Sequence, residues 1–115
     1  MSTTTTLDRV LDQLASEFGV TEPQLAGALG VTPRTLERWR VGERYPQHES
    51  RKRLVALRAL HERLQTMFLS PEAIGAWTHL DNAYLGGLKP VDALQVGRID
   101  AVDAALEALD SGVFL

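Results

Sequence analysis

The sequence predicts an all-α fold, in which an N-terminal helix-turn-helix bundle is joined by a long helix to a small C-terminal helical domain. Apolar residues recur every three or four positions through most of the 115 residues, which is the period of helices buried on one side. Ser, Thr and Pro stand where helices are expected to begin, and Gly where they are expected to end. We assign residues 1–68 to the helix-turn-helix region with its connecting helix, and residues 69–115 to the C-terminal domain.

The first two helices are marked by threonine and glycine. Apolar positions at helical spacing run from Leu7 to Phe18, with Thr6 as the predicted cap and Gly19 as the end. A short second helix is predicted after a cap at Thr21.

The remaining helices follow the same logic. A third helix is predicted from a cap at Thr32 to Gly42, and a helix of about 20 residues from His48 to Phe68. In the C-terminal domain we predict helices at about 71–77, from Pro90 to Gly97 and at about 100–110, separated by a glycine loop at 86–87. The inward residues of the last helix are predicted to be Val102, Ala105, Leu106 and Leu109.

The segment from Gln24 to Trp39 carries the requirements of two helices that cross steeply. Ala26 is small where the helices meet, and Gly30 tolerates the positive φ of the turn. Apolar anchors on the second helix are Val31, Leu36 and Trp39. The pattern resembles the Xre/Cro family of DNA-binding domains.

This arrangement leaves polar residues on the outer side of the third helix as candidates for DNA contact. Arg34 and Arg38 lie four residues apart on one face, a spacing suited to a single major groove. The predicted DNA-binding residues are Thr32, Arg34, Thr35, Glu37, Arg38 and Arg40. A helical pair that keeps this packing without binding DNA is the alternative.

Charge is distributed unevenly along the chain, although its net value is only −3. The stretch from Arg34 to Arg58 contains eight basic and three acidic residues, whereas the stretch from Leu69 onward contains two basic and seven acidic residues. This asymmetry favours one half that meets phosphates and another that meets a different partner. Two solvated faces of opposite charge are the simpler explanation.

Composition and spacing argue against several classes of protein. The chain has no cysteine, which excludes disulfides and thiolate chemistry. His61-Glu62 begins a zinc-protease pattern, but Gln65 occupies the position of the second ligand. No apolar run approaches the roughly 20 residues of a membrane helix, and the N-terminus lacks the regions of a signal peptide. We therefore expect a cytoplasmic protein that is not an enzyme, has no membrane contact, and needs no cofactor or metal.

The C-terminal half carries an ordered series of small motifs. They are Trp77, Asn82, Leu85-Gly86-Gly87, Lys89-Pro90-Val91-Asp92-Ala93-Leu94, Gly97 and the ending Gly112-Val113-Phe114. In this order and spacing they resemble the toxin-binding domain of the Xre/MbcA/ParS antitoxins, whose usual N-terminal partner is a helix-turn-helix.

That resemblance implies a function with two parts. The family neutralises RES-domain toxins, which consume NAD, by covering the toxin's active site, and it represses its own operon through the helix-turn-helix. Carried over to this chain, the segment Gly112, Val113, Phe114 and Leu115 would bind the toxin. A homodimer would read two half-sites of operator DNA, and it would form a higher hetero-oligomer with the toxin. The alternatives are a stand-alone phage-repressor-like regulator without a toxin, and an interaction module without DNA binding.

Overall fold

The computed structural model describes residues 3–68 and 70–112, and within these ranges the protein is all-α. The helices are α1 (Thr3–Phe18), α2 (Glu22–Leu29), α3 (Pro33–Val41), α4 (His48–Phe68), α5 (Pro71–Thr78), α6 (Pro90–Gln95) and α7 (Ile99–Asp110). A short 3-10 turn, Ala83–Leu85, lies between α5 and α6. No helix in the described part is long and apolar enough to cross a bilayer.

The predicted caps of α2 and α3 are confirmed. The Thr21 hydroxyl accepts a hydrogen bond from the backbone N–H of Gln24, whose side chain accepts one in return from the N–H of Thr21. The Thr32 hydroxyl accepts a hydrogen bond from the N–H of Thr35 at 3.1 Å. These bonds satisfy N–H groups that the first turn of a helix cannot pair internally. The turn between the two helices contains Gly30 at φ +75°, the left-handed conformation that glycine adopts without strain.

Two details of the helix predictions are wrong. Helix α1 begins at Thr3, so Thr6 lies inside the helix and does not cap it. Threonine is only a moderately poor helix former, and no proline or glycine interrupts the segment before Leu7. Leu109, predicted to face inward, is 41% exposed, because α7 ends one residue later and no described element covers its last turn. Trp77 is half-buried against Phe68, with ring centroids 6.0 Å apart.

One hydrophobic core spans both halves of the chain. Its fully buried large side chains include Leu11, Phe18, Leu25, Leu29, Leu36, Leu57, Leu60, Leu64, Ile74, Leu94, Val102 and Leu106. His61 lies in this core at the inner side of α4: its ring packs edge-on against Phe18, and its Nε2 lies 2.5 Å from Oε2 of Glu17. The predicted boundary near residue 69 therefore separates two parts of the chain that share one interior.

Close packing of α2 on α6 joins the two halves. A Cβ placed on Gly27 would overlap the carbonyl oxygen of Gln95, so the backbones of α2 and α6 touch at this point. Beside it, the guanidinium of Arg53 from α4 lies against two glycine turns, Gly30 in one half and Gly97 in the other. Glycine is required at Gly27 because any side chain would push the two helices apart.

Candidate binding surfaces

The first candidate surface is the outer side of α3, where the predicted DNA-contact residues lie. Arg34 and Glu37 are exposed, whereas Thr35 and Arg38 are half-buried. Arg38 lies 3.8 Å from the carboxylate of Glu43, which is two residues beyond the end of α3. The surface therefore combines basic and acidic groups, so a phosphate approaching Arg34 or Arg38 also meets the negative charge of Glu37 and Glu43.

Thr32 is held by its role as a cap. Its hydroxyl accepts from the N–H of Thr35 and lies 3.1 Å from the hydroxyl oxygen of Thr35. Both threonines stand at the N-terminus of α3, where backbone N–H groups and the helix dipole favour an anion. A phosphate at this end of α3 would meet a hydroxyl pair whose positions are already set.

Arg40, the last predicted DNA-contact residue, is held by three carboxylates. Its guanidinium donates to Asp8 at 2.7 Å and Asp12 at 2.6 Å, both on α1, and to Glu22 on α2 at 2.5 Å. Its side chain is only 16% exposed. Contact between Arg40 and DNA remains a prediction, and it would require the guanidinium to leave these carboxylates.

The same network changes the acid–base behaviour of Arg40. Burial by itself lowers the pKa of its guanidinium, but the hydrogen bonds to Glu22 and Asp8 and the charge of Glu22 outweigh burial. The pKa of Arg40 is therefore raised above its ordinary value, and the residue stays charged as a fixed tie between α1, α2 and α3.

Replacing Arg40 with Met is expected to lower the free energy of unfolding by about 2 kcal/mol. This value lies between the roughly 1 kcal/mol of an exposed ion pair and the roughly 3–5 kcal/mol of a broken buried one, because Arg40 is mostly but not fully buried and its three acidic partners are partly exposed. Urea titration would measure the loss. Arg44→Met, at an exposed arginine three residues beyond α3, is the control and should change little. Equal stability of the two variants would contradict a structural role for the network.

A second candidate surface is an apolar groove in the C-terminal half. The groove lies between the 3-10 turn, α6 and the first two turns of α7. Tyr84, Leu88 and Val96 line it and are 49%, 55% and 71% exposed. At its rim, the guanidinium of Arg98 lies 3.5 Å from the carboxylate of Asp100. Large apolar side chains grouped on a surface mark sites of protein association, so this groove can receive apolar side chains of another protein.

The predicted toxin-binding segment is only partly described. Gly112 adopts φ +76°, and its N–H donates to the carbonyl of Leu109 in the last turn of α7. Val113, Phe114 and Leu115 lie outside the described residues, and their role stays a prediction.

The groove is the feature that the sequence reasoning missed. Leu85 and Leu88 flank the glycine pair at 86–87, and Val96 precedes Gly97. Apolar residues beside loop glycines have no place in the 3.6-residue pattern of an inward helical face, and that mismatch was the available signal. Only the folded chain shows that these residues come together.

Comparison with known proteins places the whole chain beside one group. It is 36% identical to a protein named probable mycobacterial cidal antitoxin from Mycobacterium tuberculosis, over 96% of this chain and 97% of the relative. It is 28% identical to the mycobacterial cidal antitoxin MbcA of Mycobacterium tuberculosis and of Mycobacterium bovis, over 85% of this chain and 86% of theirs. No family model matches the chain.

A solved structure agrees with these relatives. The chain superposes with a TM-score of 0.64 on a chain from the crystal structure of the Mycobacterium tuberculosis MbcT–MbcA toxin–antitoxin complex, at 26% identity. The match covers 95% of this chain and 97% of the other. The similarity thus includes the N-terminal helices, the long connecting helix and the C-terminal helices together.

Proposed function

The chain belongs to the family of the mycobacterial cidal antitoxins, and from that membership we propose that it neutralises a cognate toxin of the RES class. The toxin would be an NAD-consuming enzyme, and this chain would be its non-enzymatic inhibitor. The observation that carries the proposal is the end-to-end similarity, 36% identity over 96% of the chain. If a relative matched only one half of the chain, the similarity would not indicate what the other half binds.

The C-terminal half is the proposed toxin-binding part. The groove formed by Tyr84, Leu88 and Val96 supplies exposed apolar area, and the buried centre of a protein interface is more apolar than its rim. The segment Gly112 to Leu115 would add an apolar plug beyond the last helix.

The N-terminal half is the proposed operator-binding part. Arg34 and Arg38 point outward from α3 and would contact bases or phosphates in the major groove. A single small helix binds weakly, so a homodimer would read two half-sites about one helical turn, roughly 34–36 Å, apart. Toxin binding to the other half would then build a higher hetero-oligomer on the promoter.

The test of the proposal is co-expression with the adjacent reading frame. We expect the neighbour to encode a RES-domain protein that stops growth when it is produced alone. Co-expression of this chain should restore growth, preserve cellular NAD and allow both proteins to be purified as one complex. A neighbour that is harmless alone, or that does not co-purify with this chain, would refute the antitoxin proposal and favour a stand-alone regulator.

Arg34→Ala and Arg38→Ala are expected to weaken binding to the upstream DNA. At least one of them should cost about 1–3 kcal/mol if it contacts a guanine, which is roughly a 5- to 150-fold rise in Kd. Electrophoretic shifts at two salt concentrations would measure both affinity and its salt dependence.

Arg98→Ala is the matched control for this experiment, because Arg98 is an exposed arginine in the opposite half. It should bind DNA as the parent chain does. Arg34→Ala and Arg38→Ala should still neutralise the toxin if DNA and toxin are bound by different halves. If Arg34→Ala and Arg38→Ala bind DNA with the parent affinity, α3 is not the recognition helix.

A further inference from the structure

The long helix α4 has an outer face that no described element covers. Its inner face is formed by Leu57, Leu60 and Leu64, which are buried in the core. The opposite side, called here the α4 outer face, is exposed along its length. Its residues include His48, Arg51, Lys52, Val55, Ala56, Ala59 and Glu62, and the exposed Arg58 lies at its edge.

The centre of this face is apolar although it faces solvent. An α-helix turns about 100° per residue, so Val55 and Ala59 lie within about 40° of each other, almost directly opposite the buried Leu57. Val55 is 68% exposed, and with Ala56 and Ala59 it lines a shallow apolar groove. An outer face that had only to stay solvated would carry charged side chains at its middle.

The charges on the α4 outer face are arranged as complements of each other. Arg51 and Lys52 lie on the N-terminal side of Val55, where the ammonium of Lys52 is 3.8 Å from the carboxylate of Glu49, and Glu62 lies on the C-terminal side of Ala59. Positions 52 and 62 are each five residues, or about 7.5 Å, from position 57. Rotation of the helix by 180° about an axis at that position therefore exchanges the basic end of the face with the acidic end.

We propose that two copies of this chain pair through their α4 outer faces, antiparallel and centred near position 57. In this arrangement Val55 of one copy packs on Ala59 of the other, and Glu62 approaches the basic pair at Arg51 and Lys52. The small side chains of Ala56 and Ala59 let the two helices come close together. A two-fold interface must be self-complementary, and the α4 outer face meets that condition both in its apolar centre and in its flanking charges.

The self-complementarity is the reason to assign this face to a second copy. Operator DNA is uniformly negative and would meet Glu62 together with the lysine and arginine. The apolar groove in the C-terminal half is another exposed apolar surface of the described chain, but in the proposed function it is the surface that meets the toxin. The inference concerns the homodimer within the proposed function and is independent of the identity of the toxin.

The first test measures the mass of the full-length chain alone by sedimentation at several concentrations. The parent chain should be a dimer, and Val55→Glu should weaken dimerisation at least ten-fold, because it places a charge at the apolar centre against Ala59 of the other copy. Val96→Glu is the matched control, since Val96 is an equally exposed valine (71% against 68%) in the rival groove. A monomeric parent chain, or a dimer broken by Val96→Glu and not by Val55→Glu, would overturn the proposal.

The second test examines the register. The chain has no cysteine, so Val55→Cys and Ala59→Cys each introduce a single thiol. Mixed in equal amounts and oxidised, the two variants should form a disulfide-linked heterodimer faster than either forms a homodimer. As a control, Val55→Cys is mixed with Leu88→Cys. The heterodimer in this mixture should form no faster than the Leu88→Cys homodimer forms alone. Equal rates for all pairs would overturn the antiparallel register.

The third test reverses the charges on the α4 outer face. Glu62→Lys should weaken the dimer, and the triple variant Arg51→Glu, Lys52→Glu, Glu62→Lys should regain most of the lost affinity, because it restores the complement with both signs exchanged. Failure of the triple variant to recover would contradict the pairing of these charges. Loss of the dimer in any of these variants with toxin neutralisation intact would leave the antitoxin proposal standing, so the two proposals fail separately.

Discussion

Gly27→Ala is expected to lower the free energy of unfolding by about 2–3 kcal/mol, the upper part of the range of about 1–3 kcal/mol for adding a methyl group to a packed interior. In an ordinary helix the same substitution stabilises by about 0.5–1 kcal/mol. At Gly27 the substitution should destabilise the protein instead, because the added Cβ would overlap the carbonyl oxygen of Gln95. The colliding atom belongs to a backbone, so a rotamer change cannot relieve the clash, and α2 and α6 must separate. For a chain of this size the melting temperature should fall by roughly 10 °C.

The control for this experiment lies in α5. Gly75 is also a helical glycine, but a Cβ placed on it would have no neighbour within 4 Å. Gly75→Ala should therefore leave the melting temperature unchanged or raise it by a few degrees. Thermal melts of the two variants together separate the clash at α2 and α6 from the general effect of removing a glycine. A Gly27→Ala variant that melts at or above the parent temperature would show that the two helices are not in backbone contact.

Deletion of Val113 to Leu115 is expected to abolish toxin neutralisation and to leave the fold and DNA binding nearly intact. The three residues lie outside the described part of the chain, so the expectation rests on the sequence and on the turn at Gly112. A segment beyond the last helix contributes little to the core unless it is docked, whereas an aromatic side chain such as Phe114 can bury about 150–250 Å² in a partner. Phe114→Ala alone should raise the Kd for the toxin by about 30- to 700-fold, the equivalent of roughly 2–4 kcal/mol at a hot spot.

Leu109→Ala is the matched control for the tail. Leu109 is a large apolar residue, 41% exposed, in the last turn of α7, so its truncation removes apolar surface close to the tail without changing the tail itself. It should reduce toxin affinity far less than Phe114→Ala. A tail that packs on its own domain would instead lower the melting temperature of the truncated chain. Growth rescue by the truncated chain would rule out the tail as the inhibitory segment.

Some features of the candidate surfaces could be predicted from the sequence, and others could not. The sequence places Arg34, Glu37 and Arg38 on the outer side of α3, and the structure finds all three accessible there to some degree. It could not show that the charge of Arg40 is taken up by Asp8, Asp12 and Glu22, because the three carboxylates lie 18 to 32 residues away. It also gave no indication that Leu88 and Val96 line one groove.

Apart from the start of α1, the sequence by itself determined where the helices begin and end. The caps at Thr21, Thr32 and Ser70 each depend on a hydrogen bond between residues three apart, and the ends at Gly30 and Gly42 depend on the φ that glycine tolerates. Such interactions are complete within one turn of chain, so they can be deduced before the fold is known.

The tertiary structure alone decided which surfaces meet and which remain exposed. The contact of Gly27 with Gln95 joins residues 68 apart, and the exposure of Val55 follows from the absence of any described helix above the outer side of α4. The spacing of apolar residues along a helix is the same whether or not a neighbouring helix covers a given valine. Its environment depends on the packing of the other helices, and residue spacing within one helix carries no information about that packing.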